Sequence, residues 1–196
     1  VDRTATISAI ATSAFSWGSH LNATEDNSNG TVSVTTSGVE DGQTVTIILN
    51  SATYTANVSS NAATVTITAS GLQALSEGSE TLTADVSDVA GNAAATVTSS
   101  SFTVDRTATI SAIATSAFSW GDYLNATEDN SDGTVSVTTS GVENGQAVTI
   151  TLNSLTYTAN VSLNAATVTI TASDLQALSE GSYTLTADVS DVAGNA

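Results

Sequence analysis

The stretch TVTIILNSATYTANVSSNAATVTITA, residues 44–69, indicates the fold of this chain. Apolar side chains alternate with threonine and serine through three short runs, which are separated by the polar turns NSA and SSNAA. Alternation with a period of two, bounded by turn residues, is typical of β-strands that bury one face. Threonine on the opposite face keeps a high β-propensity while it tolerates water. Residues 44–69 therefore predict three consecutive strands.

The same pattern extends outward on both sides of this stretch. Further strands are predicted at residues 4–11, 31–36, 81–87 and 95–104. In the first of these, the alternation places Ala5, Ile7 and Ala9 on one face. The segment SGLQALSEG (70–78) instead predicts a short helical turn, because two leucines lie three residues apart ahead of a glycine. Seven short strands with one helical turn predict an all-β, immunoglobulin-like β-sandwich.

The whole pattern occurs twice in the chain. A shift of 103 residues places Val1 on Val104 and Asn92 on Asn195, and all but ten of the 93 aligned residues are identical. This period is too long for a solenoid, whose units of about 20–50 residues cannot fold alone. We therefore predict two tandem domains of about seven strands each, residues 1–103 and 104–196.

The second copy ends at Ala196, before any counterpart of AATVTSSSFTV (94–104), the last strand of the first copy. A sandwich without that strand exposes two edges and part of its core. We expect the sequence to be a segment of a longer array, and the alternative is that a neighbouring molecule donates the strand. The predicted partners are therefore neighbouring repeats of the same chain, or another chain through strand exchange.

The chain is strongly acidic. The sequence contains nineteen acidic residues, two arginines and no lysine, which gives a formal net charge of −17. Such a surface repels nucleic acid and anionic membranes, and no apolar run approaches the 18 residues of a membrane-spanning helix. We expect neither nucleic-acid binding nor membrane insertion. The absence of cysteine excludes disulfides and cysteine-based metal sites.

The residues do not favour enzymatic chemistry. The only histidine, His20, is replaced by Tyr123 in the second copy, and the lack of cysteine and lysine excludes thiol and Schiff-base nucleophiles. We therefore predict a protein that is not an enzyme. Trp17 and Trp120 can stack on a sugar, or they can pack against the base of the sandwich. A module that binds a sugar or another chain is the alternative function.

Acidic residues gather at both ends of the predicted sandwich. The loops SGVEDGQ and DVAGN meet at one end, which we call the top, and the long segment after the first strand lies at the bottom. The top loops of the second copy supply Glu143, Asp191 and Asn195, and the bottom loop of the first copy supplies Glu25 and Asp26. Calcium binds six to eight oxygen atoms from carboxylates, carbonyls and water. These loops are therefore candidate calcium sites.

Four segments, taken together, resemble the tandem immunoglobulin-like repeats of giant bacterial surface adhesins of the type I-secreted, RTX-type biofilm class. They are FTVDRTATISAI (102–113), GVENGQAVTITLN (141–153), ASDLQALSEGSYTL (172–185) and YTLTADVSDVAGNA (183–196). The resemblance covers essentially all of each copy. It implies a secreted protein of the bacterial cell surface, whose repeats form an extender that holds a terminal adhesive domain away from the cell.

The resemblance also implies that calcium binds in the linkers between repeats and stiffens the chain. By motif, the implied ligands are the linker aspartate Asp2 or Asp105, Asp88 with Asn92, and Asp191 with Asn195. The glycine of DVAGN permits a tight turn from which the aspartate and asparagine present oxygen atoms together. The alternative is a turn in which these two side chains only cap backbone amides.

A second candidate calcium site lies in TEDNSDG (127–133), where Glu128 and Asp129 occur. The segment partly resembles a calcium loop, although its spacing is not that of an EF-hand. A solvated polar loop is the alternative. The first copy has Asn29 where the second has Asp132, so we expect weaker calcium binding in the first copy.

Overall fold

The computed structural model describes residues 4–196 and divides the chain into two compact units. The first unit ends at Arg106, and the second runs from Thr107 to Ala196. Each unit consists of β-strands with one short α-helix, which confirms the predicted all-β, immunoglobulin-like sandwich. The predicted domain boundary after residue 103 stays a prediction, and the side chain of Arg106 is bound to the first unit, as described below.

The strands are short in both units. The first unit contains β1 (Thr6–Ile7), β2 (His20–Leu21), β3 (Gly30–Ser37), β4 (Thr44–Leu49), β5 (Ala52–Asn57), β6 (Ala62–Ile67), α1 (Ala69–Gln73), β7 (Gly78–Glu80), β8 (Thr83–Asp85), β9 (Val97–Thr98) and β10 (Phe102–Val104). The second contains β11 (Thr109–Ile110), β12 (Gly133–Ser140), β13 (Ala147–Leu152), β14 (Leu155–Asn160), β15 (Ala165–Ile170), α2 (Ala172–Gln176) and β16 (Leu185–Asp188).

Two sheets of the first unit form its sandwich. One has the order β1-β3-β6 and the other the order β5-β4-β8-β9. The strands β3 and β4 each turn one face inward, where Val32, Val34, Val45 and Ile47 have no exposed surface. Burial of a side chain of this size contributes about 1.5–3 kcal/mol. The alternation seen in residues 44–69 therefore marks side chains that build the core.

Tight turns connect the central strands. Asn50 and Ser51, between β4 and β5, have φ angles of 47° and 64°. Two consecutive positive φ angles describe a type I′ hairpin, whose twist matches that of the strands it joins. Asn153 and Ser154 form the same turn in the second unit. Asparagine at the first of these positions tolerates the left-handed backbone better than most residues.

The predicted alternation in residues 4–11 is wrong beyond Ile7. The strand β1 ends at Ile7, and Ala5 is buried as expected, but Ala9 is exposed and Ile10 is buried instead. Side chains alternate between two faces only while the chain is extended. Once the strand has ended, the larger isoleucine gains more from burial than alanine does.

A third, small sheet of the first unit joins distant parts of the sequence. The strand β10 lies between β2, to which it is parallel, and β7, to which it is antiparallel. It inserts Phe102 and Val104 into the core, where each is 1% exposed. The strands β2 and β7 lie outside the predicted ones, because two or three residues are too few for a period to be detected.

The second unit repeats the sandwich with the sheets β11-β12-β15 and β14-β13-β16. Its central valines and isoleucines are as buried as those of the first unit. Trp120 and Leu185 are half-buried, whereas Trp17 and Leu82 of the first unit are buried beside β10 and β9.

The helix α1 confirms the predicted helical turn, although it ends earlier than expected. Thr68 caps its first turn, with Oγ1 accepting a hydrogen bond from the backbone N–H of Gly71 at 3.2 Å. Leu72 and Leu75 are buried against the sandwich. Within residues 4–196, neither α-helix has the length and apolar character needed to cross a membrane.

Candidate functional site

The DVAGN loop of the first copy closes into a turn around the carboxylate of Asp88. Asp88 Oδ1 accepts a hydrogen bond from the backbone N–H of Asn92 at 2.7 Å, and Oδ2 accepts one from Asn92 Nδ2 at 2.6 Å. The backbone N–H of Asp88 donates to the Asn92 carbonyl at 3.0 Å. Gly91, with φ of +86°, permits this tight path. The structure thus brings Asp88 and Asn92 together and buries the aspartate.

The second copy forms the same turn. Asp191 accepts hydrogen bonds from the backbone and side-chain nitrogens of Asn195 at 2.8 and 2.7 Å. Glu143, from the SGVEN loop, accepts a hydrogen bond from the backbone N–H of Val192 at 3.0 Å, and Glu40 makes the equivalent bond in the first copy. The two top loops therefore lie together in each copy, because the glutamate of one loop accepts a hydrogen bond from the DVAGN backbone of the other.

Hydrogen bonding favours the charged form of Asp88. The side-chain amide of Asn92 is the largest influence that lowers the pKa of this carboxyl below its usual value, and the backbone N–H groups of the turn act in the same direction. Burial opposes this effect but does not overcome it. Asp88 is therefore an anion held inside a turn, which suits either a structural cap or a metal ligand.

The oxygen donors of the DVAGN turn are chemically suited to calcium, which prefers carboxylate, amide and backbone oxygens. Each Asp88 carboxylate oxygen accepts one hydrogen bond from Asn92 and has further lone-pair capacity. Residues 4–196 contain no group of three or more histidine or acidic side chains placed to hold a metal ion. The turn therefore supplies two side chains, Asp88 and Asn92, of the kind that bind calcium. Calcium binding at this turn stays a prediction.

Of the two predicted linker aspartates, the structure describes only Asp105. Asp2 lies outside the described residues. Asp105 directly follows β10, and its backbone N–H donates to the carbonyl of Leu21 at 2.9 Å, which continues the parallel pairing of β10 with β2. The backbone of Asp105 is thus fixed to the first unit, and its role as a calcium ligand stays a prediction.

The bottom loop of the first copy contains an ion pair that the sequence did not suggest. Asp26 accepts a hydrogen bond from Arg106 Nε at 2.6 Å, and the two side chains are 6% and 19% exposed. The adjacent Glu25 turns back to accept a hydrogen bond from the backbone N–H of Asn22 at 3.2 Å. Although Glu25 and Asp26 are adjacent in sequence, they have different roles. Glu25 closes a turn, and Asp26 forms an ion pair with Arg106.

Arg106 also binds the end of α1. Its Nη1 donates to the carbonyl of Leu75 at 3.1 Å and its Nη2 to the carbonyl of Leu72 at 2.9 Å. The Leu72 carbonyl also accepts a hydrogen bond from the backbone N–H of Leu75 at 3.1 Å. A cation at the C-terminal end of a helix interacts favourably with the helix dipole. Glu77 lies farther away, at 3.8 Å from Nη1, and is about half exposed. We call Asp26, the Leu72 and Leu75 carbonyls and Arg106 the arginine latch.

In the second copy, Glu128 and Asp129 occupy the equivalent turn. Glu128 accepts a hydrogen bond from the backbone N–H of Asn125 at 3.1 Å, as Glu25 does from Asn22. Asp129 is half-buried, and within the described residues no donor or cation binds its carboxylate. The aspartate is therefore paired with an arginine in the first copy, whereas in the second copy no residue of 4–196 forms this pair.

The rest of the polar loop is attached to the helix. Asn29 Oδ1 accepts a hydrogen bond from the backbone N–H of Ala69 at 2.9 Å, and Asp132 Oδ1 accepts the equivalent bond from Ala172 at 2.9 Å. The change from asparagine to aspartate between the copies therefore leaves this contact intact. The geometry favours a structural role for both residues, and the expected difference in calcium binding stays a prediction.

The tryptophans lie on the inside of the loop that carries them. Trp17 is 5% exposed and stacks on Phe15 with ring centroids 5.2 Å apart, while Phe102 meets both rings edge-on. This geometry supports packing rather than sugar binding for Trp17. Trp120 stacks on Phe118 in the same way, at 5.3 Å, and among the described residues no third ring packs against this pair.

Sequence reasoning missed Arg106 as the centre of the bottom site. A signal was present, since the two arginines are the only basic residues of the chain apart from His20, and both follow the linker aspartate in the phrase VDR. In a protein of net charge −17, a cation at a repeated position has many possible acidic partners. Only the fold shows which carboxylate it binds.

We expect the free energy of unfolding of the metal-free protein to fall as the pH drops below about 4. The Asp88 carboxyl has a lower pKa in the folded chain than in the unfolded chain. Its stabilisation is therefore complete above the unfolded pKa and is lost as the pH falls through the folded pKa. Urea unfolding of the wild type and Asp88→Asn in EDTA at pH 7 and pH 3 checks this. The difference in free energy of unfolding between the wild type and Asp88→Asn should be smaller at pH 3 than at pH 7. An unchanged difference would contradict the lowered pKa of Asp88.

Comparison with solved structures finds relatives along the whole chain. A Ca2+-stabilized adhesin that helps an Antarctic bacterium reach out and bind ice matches 98% of this chain with 31% identity and a TM-score of 0.51. A 1.5-MDa bacterial ice-binding adhesin matches 97% of it with 30% identity and a TM-score of 0.51. A bacterial immunoglobulin-like domain from the M. primoryensis ice-binding adhesin matches 52% of it with 30% identity and a TM-score of 0.36.

The chain spans only part of the longer relatives. It covers 46% and 60% of the first two structures and 95% of the single domain. No protein-family model matches the chain, and neither does any curated protein. The structural matches at about 30% identity agree with the family resemblance noted in the sequence. The chain therefore belongs to the bacterial immunoglobulin-like repeats that occur in tandem in large bacterial adhesins.

Proposed function

We propose that these two repeats are extender domains of a large bacterial adhesin, which is secreted and held at the cell surface. In this role they perform no chemistry, and they hold a distal adhesive domain away from the cell during adhesion and biofilm formation. The observation that carries the proposal is the near-identity of two successive sandwiches in a chain related to such adhesins. Repeating one domain adds length without adding a new surface, which is what a spacer requires.

We further propose that calcium stiffens the joints between consecutive repeats. One relative is a Ca2+-stabilized adhesin. In this chain, a net charge of −17 makes a divalent cation a favourable counterion, and the DVAGN turn of each copy presents an aspartate and an asparagine. The residues that would hold calcium are the linker aspartate together with that pair. Calcium would supply charge neutralisation and a fixed geometry at the joint.

Calcium should raise the free energy of unfolding by about 2.7 kcal/mol for one site at a hundredfold excess over its dissociation constant. Calorimetry of the full chain in saturating calcium and in EDTA measures this difference. Small-angle scattering in the same two solutions tests the stiffening. Identical melting transitions together with identical scattering profiles would remove calcium from the proposal.

A pair of variants separates a linker site from general screening of charge. Asp105→Asn removes the linker carboxylate and should abolish most of the calcium response. Asp122→Ser removes the same charge at an exposed position, where the first copy has Ser19, and should leave the response unchanged. Equal responses in both variants would mean that calcium acts only as a counterion.

A further inference from the structure

Arg106 is the only residue of 4–196 after which a protease specific for lysine or arginine can cleave. The sequence has two arginines and no lysine, and Arg3 lies outside the described residues. Arg106 is also the last residue of the first unit, so the bond to Thr107 joins the two units in the chain. Trypsin-like proteases bind the residue before the cleaved bond in a pocket that sets their specificity, where a carboxylate pairs with its positive charge.

The backbone around this bond is suited to cleavage. Residues 105–108 form neither helix nor strand, and Thr107 is exposed. Exposed segments of this kind are preferred sites of proteolysis, because they adapt to a protease more easily than helices or sheets do. Protection of the bond therefore depends on the residues that precede it.

The residues before the bond are held by the first unit. Val104 is 1% exposed, and the backbone N–H of Asp105 donates to the carbonyl of Leu21 at 2.9 Å. The backbone N–H of Arg106 donates to Glu77 Oε2 at 3.3 Å. All three side-chain nitrogens of Arg106 are bound in the arginine latch, at distances of 2.6, 2.9 and 3.1 Å.

The arginine latch and the pocket of a protease compete for the same guanidinium. Asp26 occupies Nε, and the helix-end carbonyls occupy Nη1 and Nη2. A protease can bind Arg106 only after the side chain has left these partners. Cleavage therefore requires local opening, and its rate follows the population of the open form when opening and closing are fast relative to cleavage.

We propose that the bond between Arg106 and Thr107 is a cleavage site for trypsin-like proteases, which the arginine latch protects until it opens. Hydrolysis breaks the C–N bond: the carbonyl carbon of Arg106 gains the hydroxyl group of a water molecule, and the nitrogen of Thr107 gains its hydrogen. The cut lies between the two hydrophobic cores and leaves both intact. This proposal goes beyond the extender role, because it makes the latch the element that determines whether a protease can shorten a chain of repeats.

Limited digestion of the full chain with trypsin tests the proposal. Mass spectrometry measures cleavage after Arg106, and the peptide FTVDRTATI (102–110) gives the rate at the same sequence without a fold. We expect the wild type to be cleaved about a hundredfold more slowly than the peptide, and Asp26→Asn at least about tenfold faster than the wild type. Asp129→Asn, the matched change in the second repeat, should stay within about twofold of the wild type. An uncleaved peptide, or equal rates for the wild type and Asp26→Asn, would overturn the proposal.

A core variant separates opening of the latch from unfolding of the whole repeat. Ile47→Ala truncates a side chain of β4 that has no exposed surface, and it leaves every group of the latch in place. Chymotrypsin cleavage after Phe102, which is 1% exposed, reports global unfolding and should be faster in Ile47→Ala than in the wild type. Trypsin cleavage after Arg106 should change less than about threefold in Ile47→Ala. If Ile47→Ala accelerates the trypsin cut as much as Asp26→Asn does, unfolding of the repeat exposes the bond and the proposal is wrong.

Discussion

Replacing Phe102 with alanine will destabilise the first repeat by about 3–5 kcal/mol and leave the second repeat unchanged. Phe102 is 1% exposed, and its ring meets Phe15 and Trp17 edge-on at centroid distances of 5.3 and 5.4 Å. Truncation removes both the transferred apolar surface and the ring contacts, and it leaves a cavity that two rigid rings cannot fill. The same side chain anchors β10, so the pairing of β2 with β7 through β10 should weaken as well.

Urea unfolding followed by far-UV circular dichroism and tryptophan emission measures this effect. The transition of the first repeat should move to lower urea, while that of the second keeps its midpoint. Leu163→Ala is the matched control, because it truncates an apolar side chain that is 85% exposed and should cost less than about 0.5 kcal/mol. A loss of less than 1 kcal/mol for Phe102→Ala would show that the aromatic cluster is not a main source of stability.

Replacing Asp26 with asparagine will destabilise the first repeat by about 3 kcal/mol. The substitution leaves the Arg106 guanidinium in a site where its side chain is 19% exposed and its main counter-charge is gone. The carbonyls of Leu72 and Leu75 still accept its hydrogen bonds, but they do not neutralise it. Breaking a buried pair at one end is costly because a charge stays behind without compensation.

The duplicated sequence supplies a matched control for this prediction. Asp129→Asn changes the same residue in the second repeat, where no arginine binds it within residues 4–196, and should alter stability by less than about 0.5 kcal/mol. Arg106→Gln combined with Asp26→Asn should be less destabilising than the sum of the single changes. Equal losses for Asp26→Asn and Asp129→Asn would contradict the arginine latch.

Local patterns predicted most of the strands. The alternation of Val45, Ile47 and Leu49 marks buried side chains in β4, and the polar pair Asn50 and Ser51 marks the hairpin after it. Both features depend on residues that are close in sequence, so they are visible without a structure. Ala9 was wrongly predicted to face the core for the same reason. The alternation assigns faces only within a strand, and this strand ends at Ile7.

The candidate site was predictable in part. The DVAGN motif indicated that Asp88 and Asn92 lie together, since a glycine turn brings residues four apart into contact. The pairing of Asp26 with Arg106 joins residues 80 positions apart. Nothing in the local sequence of Asp26 distinguishes it from Glu25, and the two acids have different roles only because the fold places an arginine beside one of them.

By itself, the sequence determined the class of the protein: a duplicated, acidic, all-β chain whose period-two runs assign one face of each strand to the core. These properties follow from composition and from short-range periodicity. The tertiary structure decided which short strands meet and which aspartate is paired with an arginine. Those outcomes depend on contacts between distant residues, whose energies are set by burial and charge pairing in the folded chain and leave no periodic trace in the sequence.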